Sequence, residues 1–316
     1  MSLNAEALVD RRRMQRHLSF WRIAALVILL SLVIYAAVVV GNTAIGAKHI
    51  ARVDIAGMIT NNRAQMNLFE KLEKADDVKA VIIHINSPGG TTAGGEALYL
   101  SIRKLGKKKP VIAVFGTMAT SAAYITGLAT DHIVARGNTI TGSVGVIMQW
   151  TEFTGLMNNI GVKMNEIKSG NLKANPSPFQ PLDEAGREAT QEIIADTHKW
   201  FVDLVRERRK IDPGSVAGLT DGKIYSGRQA LTHKLIDAIG GEEKAIEWLQ
   251  TRHKLSKDLE IKNWTVQNED TFGIFGNAAA SIAKKMGIPV DIFNKNHGLE
   301  RLRLDGLVSV WHPHTK

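Results

Sequence analysis

Between residues 53 and 255, short runs of β-branched residues alternate with segments of helical period, and this alternation constrains the fold more than any other feature. Residues 52–59 read as a strand with Val53, Ile55, Gly57 and Ile59 on one side. Residues 64–74 carry Leu68, Phe69 and Leu72 at helical spacing, and 80–85 form a strand of β-branched residues. The pattern repeats with a helix over 93–105, a strand over 111–115 opened by Pro110, and a helix of mostly small residues over 121–129. Residues 133–135 and 144–148 read as further short strands, 184–210 as a long amphipathic helix, 222–236 as a strand-turn-helix unit and 242–255 as a last helix. Strand and helix in alternation predict an α/β domain with largely parallel strands.

Ahead of this domain, residues 23–40 read IAALVILLSLVIYAAVVV, 18 residues without a charge. As a helix they span roughly 27 Å, close to the hydrocarbon thickness of a bilayer. Phe20 and Trp21 fall where an interfacial aromatic belt lies. Arg11, Arg12, Arg13, Arg16 and Arg22 precede the stretch, whereas Lys48 and Arg52 follow it, so the positive-inside rule places the N-terminus in the cytoplasm. A cleavable signal peptide is the competing reading, with Ala44-Ile45-Gly46 at cleavage-like positions. The apolar run exceeds the usual signal length, which favours an uncleaved single-pass anchor with the rest of the chain on the periplasmic, extracytoplasmic side of the cell (inner) membrane.

The net charge of +9 gathers at residues 11–16, 103–109 and 206–210. Beside an apolar segment, such clusters favour contact with membrane lipid over nucleic acid. The chain has no cysteine, which excludes disulfides, thiolate metal sites and a cysteine nucleophile. No His-Glu-x-x-His or comparable spacing suggests a metal. The simplest partition is a basic N-terminus at 1–22, a transmembrane anchor at 23–40, one catalytic domain at 41–256, and an extension at 257–316 serving assembly, pocket closure or neither.

Two small-residue motifs carry the candidate chemistry. Asn86-Ser87-Pro88-Gly89-Gly90 ends an apolar strand in a glycine turn, and Met118-Ala119-Thr120-Ser121-Ala122-Ala123-Tyr124 puts a hydroxyl where a helix begins. Helix starts offer unpaired backbone N–H groups, and glycine lets backbone approach a ligand, so the pair fits an oxyanion hole beside a nucleophilic serine. Alone, the first is a turn signal and Ser121 a helix cap. A serine nucleophile needs a base. The histidines are badly placed for it: His84 lies inside an apolar strand, His132 at a strand start, and His297, His312 and His314 in the least readable part of the chain. Lysine serves if burial lowers its affinity for protons. Lys168 and Lys173, in Ile167-Lys168-Ser169-Gly170-Asn171-Leu172-Lys173-Ala174, both qualify on composition, and both also fit exposed loop lysines.

Joined in order, these motifs resemble the signal peptide peptidase A family of membrane-anchored bacterial serine proteases (peptidase family S49), in its short single-domain form. The resemblance runs from Val53 to about Leu249. It includes Ile140-Thr141-Gly142-Ser143-Val144-Gly145 and Gly222-Lys223-Ile224-Tyr225-Ser226-Gly227-Arg228-Gln229-Ala230, and it ends at Leu235-Ile236-Asp237. It implies a crotonase-like (ClpP-like) superhelix of ββα units behind one transmembrane helix. It also implies a Ser-Lys dyad with Ser121 as nucleophile and Lys173 as general base, Ser143 positioning that lysine, and Gly90 and Ala122 as oxyanion donors. Cleaved signal peptides and other membrane-derived peptides are the implied substrates, a homo-oligomeric ring (an octamer among the sizes) the implied assembly, and no cofactor is implied. The family usually carries Gly-Gly after the nucleophile where this chain has Ala122-Ala123. If Ala122 needs a positive φ, its methyl costs about 1–2 kcal/mol. An inactive scaffold and a crotonase-type acyl-CoA enzyme are the other readings. The membrane anchor and the lysine loop argue against the acyl-CoA enzyme.

Overall fold

A computed structural model describes residues 18–35, 47–266 and 308–310. The first stretch is helix α1 (Leu18–Tyr35), with a mean hydropathy of 2.2 and no buried residue. It is long and apolar enough to cross a membrane. It begins ahead of the 23–40 span, taking in Phe20, Trp21 and Arg22, while residues 36–40 lie outside the described residues.

The chain from His49 onward is a separate compact unit. Its elements are β1 (His49–Ala56), α2 (Arg63–Lys74), β2 (Val78–Ser87), β3 (Gly89–Thr91), α3 (Thr92–Gly106), β4 (Val111–Thr120) and α4 (Ala122–Leu128). They continue with β5 (His132–Ala135), β6 (Ile140–Gly142), α5 (Thr154–Asn159), α6 (Glu184–Arg209), β7 (Ile224–Ser226) and α7 (Gly227–Thr232). The last described are β8 (Ala238–Ile239), α8 (Glu242–His253), β9 (Glu260–Asn263) and β10 (Val308–Val310).

The main sheet runs β7-β6-β4-β2-β1-β9, with β5 and β8 branching from β4. Its pairings are parallel except β6 with β7. Alternation along the strands splits the core into two faces, as a two-residue period requires. Val53, Ile55, Val81, Ile83, Ile85, Ala113 and Phe115 point to the face covered by α2, α3, α4 and α6. Ile50, Ala80, Ile82, Ile112 and Val114 point to the other, against Ala245 and Leu249 of α8. On that second face, Glu242 at the start of α8 receives Arg52 Nε at 2.7 Å and lies 2.6 Å from His84 Nε2, tying the helix to β1 and β2. Burial opposes ionisation of Glu242, but hydrogen bonds from Arg52 and His84 outweigh it and hold the carboxyl below its ordinary range.

β4 forks the sheet. Its lower half, Ile112–Phe115, pairs with β5, and its upper half, Met118–Thr120, pairs with β6. At the fork, Asn86 Oδ1 accepts the N–H groups of Thr117 and Met118 at 3.1 and 3.2 Å, where the β2–β4 register shifts. A side chain on Gly116 would press on Asn86, so the glycine is what lets this clamp close.

Three expectations change. β4 extends five residues beyond the strand expected at 111–115, because small residues carry it up to the Ser121 turn. Residues 144–148 form no strand; that stretch holds a single isolated bridge residue. Past Ser256, where the catalytic domain was expected to end, β9 joins the edge of β1 and the Trp264 N–H donates to the Arg52 carbonyl at 2.8 Å.

Candidate active site

The C-terminal ends of parallel strands are where open α/β sheets place their ligands. Here β2, β4 and β6 end together, and four of the five residues expected to act are gathered there. Ser87 of β2 pairs with Ala119 of β4, which brings the Ser-Pro-Gly-Gly turn beside the serine turn. The Thr120 hydroxyl donates to the Pro88 carbonyl at 3.0 Å and fastens the two turns together. The Thr141 hydroxyl donates to the Ala119 carbonyl at 2.7 Å and fixes β6 on the other side.

Ser121 sits between β4 and α4 at φ 60° and ψ −122°, a conformation few non-glycine residues adopt. A strand turns sharply into a helix there, as in the strained elbow that presents a hydrolase nucleophile. Although Ser121 occupies the N-cap of α4, its side chain makes no capping bond. The residue is buried, with 1 % of its surface exposed. Its strain is held in place from both sides: the Ser121 N–H donates to the Gly142 carbonyl at 2.9 Å, and the Ser121 carbonyl accepts the Ile125 N–H at 3.0 Å. Below it, the buried Tyr124 hydroxyl donates to the Leu235 carbonyl at 2.8 Å, and burial pushes that phenol's pKa up.

Ala122 is the first residue of α4 and is not among the residues with positive φ. The left-handed geometry falls on Ser121 instead, so the methyl of Ala122 carries no backbone penalty. The alanine also packs closely, since a Cβ on Gly95 of α3 would sit 3.1 Å from the Ala122 Cβ.

Gly90 lies in β3, threaded past Ile59. The Ile59 N–H donates to the Gly89 carbonyl at 2.8 Å and the Thr91 N–H donates to the Ile59 carbonyl at 2.9 Å. A Cβ on Gly90 would overlap the Ile59 carbonyl, so only glycine passes. Ser143 follows β6 directly, at φ 55° and 8 % exposed, with its N–H donating to the Lys223 carbonyl at 2.9 Å.

The two lysines differ. Lys168 is half-buried and engaged, with its ammonium 2.6 Å from Glu166 Oε2. Lys173 stands on an exposed turn whose backbone closes through its own N–H to the Gly170 carbonyl at 3.0 Å. The single chain therefore gathers Gly90, Ala122, Ser121 and Ser143 but leaves Lys173 outside that buried group. The signal that sequence reading missed is the backbone strain at Ser121, together with the tethers from Asn86, Thr120 and Thr141. Each is a small polar residue inside a motif, and only its hydrogen bond shows its use.

A sequence model of peptidase family S49 matches residues 103–256, which take in Ser121, Ser143 and Lys173. A protein of Methanocaldococcus jannaschii provisionally named a protease is 35% identical over 225 residues, 71% of this chain and 72% of that protein. This chain belongs to peptidase family S49. An Enterococcus faecium protein provisionally named signal peptide peptidase SppA is 33% identical over 65% of this chain and 60% of its own length. Protease 4 of Haemophilus influenzae is 30% identical over 70% of this chain, which spans 38% of that longer protein. Membership in S49 carries the crotonase-like (ClpP-like) fold class, and the forked α/β sheet is this chain's version of it.

Proposed function

We propose that this S49 member is a membrane-anchored serine endopeptidase working through a Ser121–Lys173 dyad. The observation that carries the reading is the strained, buried Ser121 at a strand-to-helix turn, its side chain unused as a cap. Backbone strain of about 1–3 kcal/mol persists only where the surroundings impose it, and it concentrates at working residues. In the proposed reaction Lys173 takes the hydroxyl proton as Ser121 attacks a peptide carbonyl. The N–H groups of Gly90 and Ala122 stabilise the tetrahedral oxyanion, Lys173 protonates the leaving amine, and water releases the acyl-enzyme. Ser143 orients the lysine.

A general-base lysine has to leave bulk water. In the single chain Lys173 is exposed, within a segment that also exposes Trp150, Phe153, Leu156, Ile160, Ile167 and Leu172. An apolar surface of that extent is one that assembly covers. We therefore assign the working state to a homo-oligomer, a ring, in which neighbouring copies bury this segment. Helix α1 and the basic residues before it support a single-pass anchor, N-terminus in the cytoplasm and catalytic domain on the periplasmic side. Cleaved signal peptides and other membrane-derived peptides are the substrates proposed.

Reaction of the detergent-solubilised protein with a fluorophosphonate probe tests the dyad. Labelling of the parent, lost in Ser121→Ala and in Lys173→Ala, is the expected result. Full labelling of either variant overturns the dyad, and no labelling of a folded, assembled parent points instead to an inactive scaffold.

A further inference from the structure

Charge in the compact unit is sorted along its strands. The parallel strands start near one level: His49 of β1 pairs with Val78 of β2 and Glu260 of β9, Val81 with Val111 of β4, and Ile112 with His132 of β5. At their C-terminal ends, where Ser121 stands, segments 57–62, 86–92, 116–122 and 139–151 contain no charged residue. A parallel sheet brings the chain back to the opposite end before each new strand, so α2, α3 and α8 all finish there. That end is rich in lysine and arginine, which outnumber Glu73, Asp76, Asp77, Asp131, Asp258 and Glu260 beside them. Some of these cations serve the fold. Lys109 Nζ donates to the Leu72 carbonyl at 2.6 Å and to that of Ala75, closing the end of α2. Arg103 lies 3.8 Å from Asp131, and Arg208 donates to the Leu128 and Thr130 carbonyls at 2.7 and 2.9 Å. Others are in surplus. The buried Glu73 takes both Lys104 and Lys108, at 3.1 and 2.8 Å, and each of these lysines stays more than half exposed. Lys107, after α3, and Lys254 and Lys257, after α8, are exposed and form no ion pair among the described residues. A cation at a helix C-terminus offsets the helix dipole, but that effect fades beyond the last turn, and Lys257 stands past it.

Resting on the reading of α1 as a membrane anchor, we propose that this lysine-rich end binds the anionic phospholipid headgroups of the bilayer that the anchor crosses. The chain coming from the anchor enters the unit at His49, the start of β1, at this same end. Residues 36–48 carry it there and reach at most roughly 50 Å when fully extended, so lipid is never far from these lysines. Recognition is by charge density. Each ammonium group brought within a Debye length of an anionic surface, roughly 8–10 Å, favours association about fivefold. Lys107, Lys254 and Lys257 carry the contact, because no carboxylate of the described chain competes for them at ion-pair distance. The uncharged end then points away from the lipid, and the Ser121 turn meets peptides that have left the bilayer.

The chain has no cysteine, so Ser256→Cys at the lysine-rich end, or Asn61→Cys at the uncharged end, gives one position for a fluorescent donor. The full chain is reconstituted into phosphatidylcholine vesicles carrying an acceptor lipid, with or without phosphatidylglycerol, and energy transfer to the lipid is read. Transfer from residue 256 is expected to rise about twofold or more when phosphatidylglycerol is present and to fall back at high salt, whereas transfer from residue 61 is expected not to rise. Lys107→Glu, Lys254→Glu and Lys257→Glu together are expected to abolish the rise in a protein that melts like its parent. Equal transfer in the two kinds of vesicle, a rise that salt does not reverse, or a rise kept in the triple variant overturns the lipid surface. The salt arm uses the unaltered lysines, so it decides the matter even if the triple variant fails to fold. Alkaline carbonate extraction reports the anchor separately. Protein that carbonate extracts, yet whose transfer still depends on phosphatidylglycerol and salt, would remove the anchor reading and leave the lipid surface standing.

Discussion

The backbone N–H of Ser121 donates to the carbonyl of Gly142 at 2.9 Å, so the strained turn is held by the strand that delivers Ser143. The candidate nucleophile and the candidate positioning residue are thereby fixed in one frame by main chain. Both carry a positive φ, 60° and 55°. Strain at the two positions is balanced by the ladder between β4 and β6.

Relief of that strain is measurable. Ser121→Gly is expected to raise stability by about 1 kcal/mol over Ser121→Ala, because glycine takes the observed φ and ψ freely whereas alanine does not. Thermal melts of the two variants check this, with the glycine variant melting about 2–4 °C higher for a domain of this size. An equal or lower melt for the glycine variant contradicts the strain.

Gly90→Ala is expected to lose at least about 100-fold in rate, the scale for one oxyanion donor, since its methyl would overlap the Ile59 carbonyl and shift β3. Ala122→Gly is expected to leave the rate unchanged, because the helical φ at that position needs no glycine. Peptide hydrolysis by the two variants, side by side, distinguishes a family habit from a requirement.

The two loop lysines are expected to separate. Lys168→Ala breaks the pair with Glu166 and should cost at most about 1 kcal/mol of stability with activity largely kept. Lys173→Ala should abolish turnover while melting like the parent. Equal activity losses in the two variants would count against a single general base.

Glu242→Gln is expected to destabilise the domain by about 1–3 kcal/mol, since it leaves Arg52 and His84 facing a neutral amide on the partly buried face. Denaturant unfolding reads this directly, and activity per folded molecule should not change.

His132 stacks on Trp248 with ring centroids 4.8 Å apart, and burial lowers its pKa below the ordinary histidine value, against the pull of Asp237. The unfolded chain therefore takes up this proton at higher pH than the folded one, and between the two pKa values it binds more protons. Stability is expected to fall as pH drops below about 6.5 and to level off below the folded pKa. His132→Phe keeps the stacking and should flatten that part of the stability profile. An unchanged profile would assign the slope to other groups.

Elements whose period is carried by large apolar residues were legible in the sequence. The helices of 12 to 26 residues, α2, α3, α6 and α8, fall within a few residues of expectation, since one apolar stripe fixes each. The buried run of β2 was equally plain, whereas β1 was expected at 52–59 and runs His49–Ala56, ended by Gly57 at φ 73°. What escaped were the pieces whose form depends on partners far away in sequence. β9 exists because β1 offers an edge, and β10 because β3 does. The upper half of β4 is drawn out by its pairing with β6 over a stretch of small residues with no period of their own. At the site, sequence motifs named Ser121, Gly90, Ala122 and Ser143, but not the φ of 60° that falls on the serine rather than on the alanine after it. The exposure of Lys173 was one of the two readings that its loop composition left open.

The fork in β4 divides the labour of the sheet. Its trunk, where Ile112–Phe115 meet β5 and β2, is wholly buried and fixes the fold; its branch, where Met118–Thr120 meet β6, carries the serine turn. Asn86 stands at the crotch with one oxygen on two N–H groups of the branch. Substitutions in the trunk should thus be selected for stability and those in the branch for rate. A lineage is then free to retune its chemistry on the branch while the trunk is inherited unchanged.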